Sequence, residues 1–294
     1  MTIESVYANR KVLNESETSE LIRRVICKGD PYMISRFGGN ELNAMVSGIK
    51  EYYPVYLYKK HKRKNEMACF FDGAGFFPRN VNLIPRFSNI MIETCKSIDM
   101  LGVWGLPYEE EIINNYMKEN VVITHLGCLE PYSNSSSPWS SALKGKKVLV
   151  IHPFAKTILK QYNKHNLIFP GTDILPDFEL NVIKAVQTSA GAKDRRFKNW
   201  FYALEYMHGE IKKIDYEVAI LGCGAYGMPL AAKIKNDGKI AIHLGGATQL
   251  LFGIKGNRWD NNESMSAFYN DNWCRPSKDE TPKNKNVVEN GCYW

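Results

Sequence analysis

Two short stretches of this 294-residue chain hold residue types suited to gripping an anionic substrate and moving a proton on it. The first is Arg36-Phe37-Gly38-Gly39-Asn40-Glu41, which sets one cation and one carboxylate around a glycine pair. The second is the G-x-G-x-x-G run Gly222-Cys223-Gly224-Ala225-Tyr226-Gly227, with His243-Leu244-Gly245-Gly246 further along. Glycine lets a backbone come close to a ligand phosphate, and a helix N-terminus behind it supplies unpaired N–H groups and a partial positive charge. Arg36, Gly38, Gly39, Asn40, Gly222, Gly224, Tyr226, Gly227, Gly245 and Gly246 are thus candidates to hold a diphosphate. Glu41 or a histidine is the candidate proton acceptor.

The surrounding pattern places both stretches at strand ends. Val218 to Leu221 is a short apolar strand, Met228 to Lys235 is helical, Asn236-Asp237-Gly238 is a stop, and Lys239 to Leu244 is a second buried strand. That is one βαβ unit with its glycines at the first strand's tip. Tyr32 to Ser35 is likewise a strand before Arg36, and Leu42 to Ile49 resumes a helical pattern. Further strands are expected over Met100–Trp104, Val121–His125 and Lys147–His152. Helices are expected over Glu17–Cys27, Leu83–Ile98, Glu109–Met117, Ala155–Lys164, Phe178–Ser189, Trp200–Ile211 and Thr248–Ile254, with the whole of residues 1–29 helical in character. Phe70 to Phe77 reads as loop. At least six strands alternating with helices predict an α/β fold, a mostly parallel sheet with helices on both faces. Ligands of such sheets bind outside the strands' carboxyl ends. The tips along the chain are Arg36, Trp104, His125, His152, Gly222 and His243, an anion-binding and proton-handling set. His125 and His243 join the binding candidates, and His152 joins Glu41 as a catalytic one.

The G-x-G-x-x-G run also suggests an NAD(P)-dependent oxidoreductase. Such enzymes need an Asp or Glu at the second strand's tip for the ribose hydroxyl, and this chain has His243-Leu244-Gly245-Gly246 there. Methyl-donor sites have an acidic residue two positions before the first glycine, where Ile220 stands.

Composition bounds the remaining classes. An apolar content of 44% suffices for a sizeable core. The net charge of +7 is concentrated in Lys59-Lys60-His61-Lys62-Arg63-Lys64. That run is a solvated loop or, through Lys59, Lys60, Lys62, Arg63 and Lys64, a peripheral contact with an anionic membrane face. Tyr52 to Tyr58 before it is β-prone. No nucleic-acid-binding motif is present. Seven cysteines without a Cys-x-x-Cys predict reduced thiols and neither a disulfide frame nor a zinc site. The first residues lack a basic start with an apolar core, and no apolar run is long enough to span a bilayer, so a cytoplasmic location is expected. Residues 1–262 read as one domain. Residues 263–294 read as an extended segment docked on it by its aromatic end, Tyr293-Trp294.

Ile34 to Leu42 resembles the Arg-Phe-Gly-Asp-Gly-Glu junction of the GT-D-type glycosyltransferases of bacterial surface-glycan synthesis, formerly a domain of unknown function. The likeness extends loosely from about Pro31 to Trp259. It implies a Rossmann-like domain that uses a nucleotide sugar, a UDP-sugar foremost, and a glycan or lipid-linked acceptor. It also implies a divalent metal, Mn²⁺ or Mg²⁺, on an Asp-x-Glu pair. Glu41 matches the Glu and Gly39 stands in place of the Asp. Asp177-Phe178-Glu179 is the other Asp-x-Glu, and with Glu41 it completes the metal candidates. A non-catalytic nucleotide-sugar-binding subunit of a glycan assembly complex is the third reading, suggested by Gly39.

Overall fold

The computed structural model describes residues 5–49 and 60–294, and of residues 60–66 only the backbone. The stretch Tyr52 to Tyr58 and Lys59 thus lie outside the described residues, as do the side chains of Lys60, Lys62, Arg63 and Lys64. In chain order the elements are β1 (Val6–Tyr7), β2 (Arg10–Leu13), α1 (Glu15–Lys28), β3 (Tyr32–Arg36), α2 (Gly39–Ser47), α3 (Lys60–Gly73), α4 (Ile84–Cys95), β4 (Met100–Val103) and α5 (Glu109–Tyr116). There follow β5 (Val122–His125), β6 (Lys147–His152), α6 (Ala155–Tyr162), β7 (Glu179–Lys184), α7 (Trp200–Ile211), β8 (Val218–Leu221), α8 (Gly227–Asn236), β9 (Ile240–His243), α9 (Thr248–Leu251) and α10 (Glu263–Ser266).

Among the described residues the strands form one nine-stranded sheet in the order β1-β2-β5-β4-β3-β9-β8-β6-β7. Every pairing is parallel except β1–β2. This is the α/β architecture expected, with all six expected strands in place. Side chains alternate between two cores, as the two-residue strand period requires. Ala219 and Leu221 of β8 face the core shared with α2, α4, α7 and α8. Val218 and Ile220 face the core shared with α1, α6 and α9. Among the described residues no helix is long and apolar enough to cross a membrane.

Three local expectations are corrected. The chain before α1 is not helical but the β1–β2 hairpin, too short and too charged to show apolar alternation. Helix α1 itself begins at a capping box, Asn14 accepting from the Glu17 N–H while Glu17 accepts from that of Asn14. Phe70 to Phe77 is no loop throughout, because α3 runs to Gly73. Phe70 and Phe76 stack at 4.9 Å, and Phe76 lies 5.4 Å from Trp200, so an aromatic core fixes this stretch. Phe178 to Ser189 is not a helix but edge strand β7 and its outgoing loop. It pairs with β6 from Lys147↔Glu179 to His152↔Lys184, and ladder bonding overrides the helix-start look of Asp177.

The topology makes a crevice where it is needed. β3 sends its chain to α2 on one face, while its neighbour β9 sends it to α9 on the other. Two adjacent parallel strands whose connections part in this way leave a gap at their carboxyl ends.

Candidate functional site

A crevice of about 210 Å³ opens at that gap and crosses the tips of β4, β3, β9, β8, β6 and β7. Arg36, Gly38, Gly39, Asn40 and Glu41 line it from the N-terminal half. Gly222, Gly224, Tyr226, His243, Gly245 and Gly246 line it from the C-terminal half, and His152 closes one side. The two glycine corners, remote in sequence, therefore face one space. A Cβ placed on Gly245 would lie 3.3 Å from Arg36 Nη1. His125 ends β5, two strands away from Arg36, and does not line the crevice. Gly227 is also outside it.

Arg36 sits at the end of β3, half-buried, with its guanidinium over the Trp104 ring at 5.2 Å. Trp104 Nε1–H donates to the Phe37 carbonyl at 3.0 Å, which fixes that ring at the crevice lip. Arg36 Nε is shielded from water and has no hydrogen-bond partner among the described residues. A donor in that condition costs about 1–3 kcal/mol unless something accepts from it. Burial weakens the hold of Arg36 on its proton, and the Glu41 carboxylate opposes that. Glu41 occupies the first turn of α2, and its carboxylate folds over Gly38, where a Cβ would come within 1.9 Å of Oε2. Burial raises the Glu41 carboxyl above the usual carboxylate range, against the pull of Arg36. A carboxylate so placed has the proton affinity of a general base.

The glycines of the G-x-G-x-x-G run are required by the protein itself. A Cβ on Gly222 would meet the Gly245 carbonyl at 2.6 Å, His152 Cδ2 at 2.7 Å and Thr248 Cβ at 2.7 Å. On Gly224 it would meet the Ala74 carbonyl at 2.7 Å, and on Gly227 the His243 Nε2 at 2.3 Å. Tyr226 stacks on Trp200 at 5.0 Å with 9° between the planes, turned into the core. Loop Gly73–Gly75 covers this corner, with Ala225 N–H donating to the Ala74 carbonyl at 3.0 Å. The run is therefore close-packed against protein, while Gly222, Gly224 and Tyr226 also line the crevice. Gly222→Ala is expected to cost about 1–3 kcal/mol through overpacking. Gly209→Ala, on α7 with nothing within 4 Å of its Cβ, should instead stabilise by about 0.5–1 kcal/mol. Urea unfolding of the two variants checks the contrast; equal midpoints would remove the packing argument.

Both crevice histidines are buried. His152 is buried, and the Phe154 N–H donates to its Nδ1 at 3.0 Å, which leaves the ring proton on Nε2. Burial pushes its pKa down to about 3. Its ring is neutral at physiological pH, and it lines the crevice beside Gly222. His243 shares a 3.0 Å hydrogen bond between Nδ1 and Ser35 Oγ. Burial, aided by the charge of Arg36, lowers its pKa to about 3.

Two other strand tips are filled by the chain's own carboxylates. Glu109 Oε2 accepts from the backbone N–H groups of Trp104, Gly105 and Leu106 at 3.2, 2.9 and 3.2 Å. Glu280, 2% exposed, accepts from Lys156 N–H at 2.7 Å, Thr157 N–H at 3.2 Å and Ser277 Oγ at 2.8 Å. It thereby caps the start of α6, which an incoming phosphate would otherwise find open. From the same segment Glu289, Tyr293 and Trp294 reach the crevice, as does Arg258 just before it, and Tyr293 leaves no room for a Cβ on Gly246. Sequence reasoning missed these lining residues, along with Thr188 and Gln249. The aromatic chain end was their only signal.

The metal candidates do not converge. Glu179 pairs with Lys147 at the opening end of β7, and Asp177 precedes it. Five residues of strand, about 17 Å at 3.3 Å per residue, separate Glu179 from the tips at which Glu41 lies. Among the described residues no three His, Cys, Asp or Glu side chains are grouped to hold a metal ion. The residues do not fit the Mn²⁺ or Mg²⁺ site, and no step through a metal follows from them.

No family model and no curated protein matches the chain. Two solved structures resemble it. One is described as the selenomethionine-substituted structure of domain of unknown function 1792; it is 14% identical, with a TM-score of 0.47 and 93% of each chain covered. The other is described as showing that the highly conserved domain of unknown function 1792 has a distinct glycosyltransferase fold. It is 15% identical, with a TM-score of 0.46 and again 93% of each chain covered. At that identity the likeness concerns fold alone, and function has to be argued from the crevice.

Proposed function

We propose that the crevice binds the diphosphate of a nucleotide-activated sugar, a UDP-sugar foremost, and that the protein is a glycosyltransferase. The observation that carries this reading is Arg36, a cation with a partnerless Nε–H at the gap between β3 and β9. A diphosphate bound in the crevice balances the charge of that guanidinium. In the transfer, an acceptor hydroxyl oxygen bonds to the anomeric carbon of the sugar. The bond from that carbon to the β-phosphate oxygen breaks, and its electron pair leaves with the nucleoside diphosphate. Arg36 stabilises the charge that develops there. The hydroxyl proton goes to Glu41, whose raised pKa suits the task. The acceptor is a glycan or a lipid-linked glycan, and the reaction is placed in the cytoplasm, at the inner membrane face if the Lys59–Lys64 run holds it there.

Calorimetry and slow-hydrolysis assays against a panel of UDP- and GDP-sugars test the reading. Silence across the panel, with and without Mn²⁺, would end it. Arg36→Ala is expected to weaken UDP binding by about 1–3 kcal/mol, the range for a charged hydrogen bond. Unchanged affinity in that variant takes Arg36 out of the site.

The misfit of the metal candidates favours a second reading, a non-catalytic nucleotide-sugar-binding subunit. Binding without turnover, indifferent to Glu41→Gln, would select it. The oxidoreductase reading has no such support: the β9 tip offers the buried His243 where a ribose carboxylate is needed.

A further inference from the structure

Glu289 faces the crevice from the C-terminal segment and Arg258 from the turn before it, and Arg258 Nη2 donates to Glu289 Oε2. The Arg258 guanidinium also lies over the Tyr293 ring at 4.9 Å, and its backbone N–H donates to the Cys292 carbonyl at 3.0 Å. Both side chains of the ion pair are open to water, 39% and 60% exposed. An exposed pair contributes little and is readily exchanged for a stronger partner.

The backbone that presents Glu289 is strained. Glu289, Asn290 and Gly291 take φ of 44, 55 and 79°, three left-handed residues in a row. Glycine adopts that region freely and asparagine readily, so Glu289 carries the strain, which costs more than an exposed ion pair returns. The pair therefore does not hold the turn; the turn holds the pair. It is fixed from beneath by the Gly291 and Cys292 N–H groups, which donate to the Val288 carbonyl at 2.8 and 3.2 Å, with Val288 and Cys292 buried.

The charges at this spot act on one another. Arg36 is disfavoured by Arg258 and favoured by Glu41, while Glu41 is favoured by Arg36 and disfavoured by Glu289. Arg36 is also favoured by Glu130, so two cations share one field with three carboxylates. Glu289 is the carboxylate open to solvent, and the one that an entering diphosphate can displace from its partner.

We infer that Arg258 is a second cationic contact for a ligand diphosphate, and that Glu289 is the internal anion that occupies it in the free protein and yields it to the phosphate. This rests on the nucleotide-sugar reading and adds to it a built-in competitor. Calorimetric titration of the wild type, Glu289→Gln and Arg258→Gln with UDP, and separately with inorganic pyrophosphate, tests it. Glu289→Gln should bind UDP about fivefold tighter than the wild type, and Arg258→Gln about tenfold weaker. Pyrophosphate should follow the same order. If UDP binds and Glu289→Gln gains nothing, or Arg258→Gln loses nothing, the inference falls while the nucleotide reading stands. If pyrophosphate follows the order but no nucleotide binds, the inference stands and the nucleotide reading falls. Failure of both ligands on all three proteins ends both. Thermal unfolding close to the wild type in each variant shows that these exposed substitutions leave the fold intact.

Discussion

Glu280→Ala is expected to lower the unfolding free energy by about 3 kcal/mol and to abolish ligand binding at the crevice. The carboxylate is almost fully buried and accepts from two backbone N–H groups of the first turn of α6 and from Ser277 and Thr157 hydroxyls. Removing it orphans donors that water reaches poorly, at about 1–3 kcal/mol each, and also removes a negative charge from the positive end of α6. The functional loss follows from what the segment carries. Trp294 Nε1–H donates to the Glu280 carbonyl at 3.3 Å, and the Tyr293 carbonyl accepts from Gln249 at 3.1 Å. The crevice wall made by Val288, Tyr293 and Trp294 thus depends on an anchor buried beneath α6. Urea unfolding measures the first effect, calorimetry with UDP the second, and hydrogen exchange over residues 277–294 the loosening of the wall that links them. Wild-type stability with unchanged exchange in that segment would show that Glu280 anchors nothing.

The second large effect is acid lability centred on two histidines. His152 and His243 carry pKa values of about 3 in the folded chain against 6.5 in the open chain, each chiefly because burial disfavours the charged ring. Between those values the unfolded chain binds protons that the native chain refuses, so stability falls as pH falls from about 6.5 toward 3. At about 1.36 kcal/mol per pH unit, each ring forfeits on the order of 3 kcal/mol by pH 4. Two such losses are comparable with the whole stability of an ordinary domain, about 5–15 kcal/mol. Glu41 and Glu109 work in the other direction, because burial raises both and their protonation relieves the native state as pH falls. The measurement is therefore a difference. The double variant His152→Gln, His243→Gln should lose less stability between pH 7 and pH 4 than the wild type does. Parallel pH–stability curves for the two proteins would show that neither ring is held neutral.

Much of the fold is legible in the sequence because its signals are local. Lys147–His152 and Trp200–Ile211 run as expected to the residue, since a fully buried strand and an Asn-capped helix carry their limits in their own composition. β7 fails the same test. Leu180, Val182 and Ile183 suit a helix face or a strand equally well, and the choice belongs to β6, whose ladder pairs with them. The hairpin β1–β2 fails for a related reason: strands of two and four residues, the second opening on Arg10-Lys11, are too short to show an alternation.

The candidate site divides in the same way. The sequence by itself determined the parallel sheet, the glycine corners at its carboxyl ends and the presence of Arg36 and Glu41 at one of them. Each follows from chain-local periodicity and turn chemistry. Only the tertiary structure decided that β3 and β9 are neighbours, which sets Arg36 against Gly245. It alone decided that the three glycines of Gly222–Gly227 are taken up by Ala74, His152 and His243, and that the tail brings Glu280, Glu289 and Tyr293 to the crevice. A glycine's spacing says that a backbone can approach closely there. What approaches is settled by contacts between residues far apart in the chain, which no local pattern encodes.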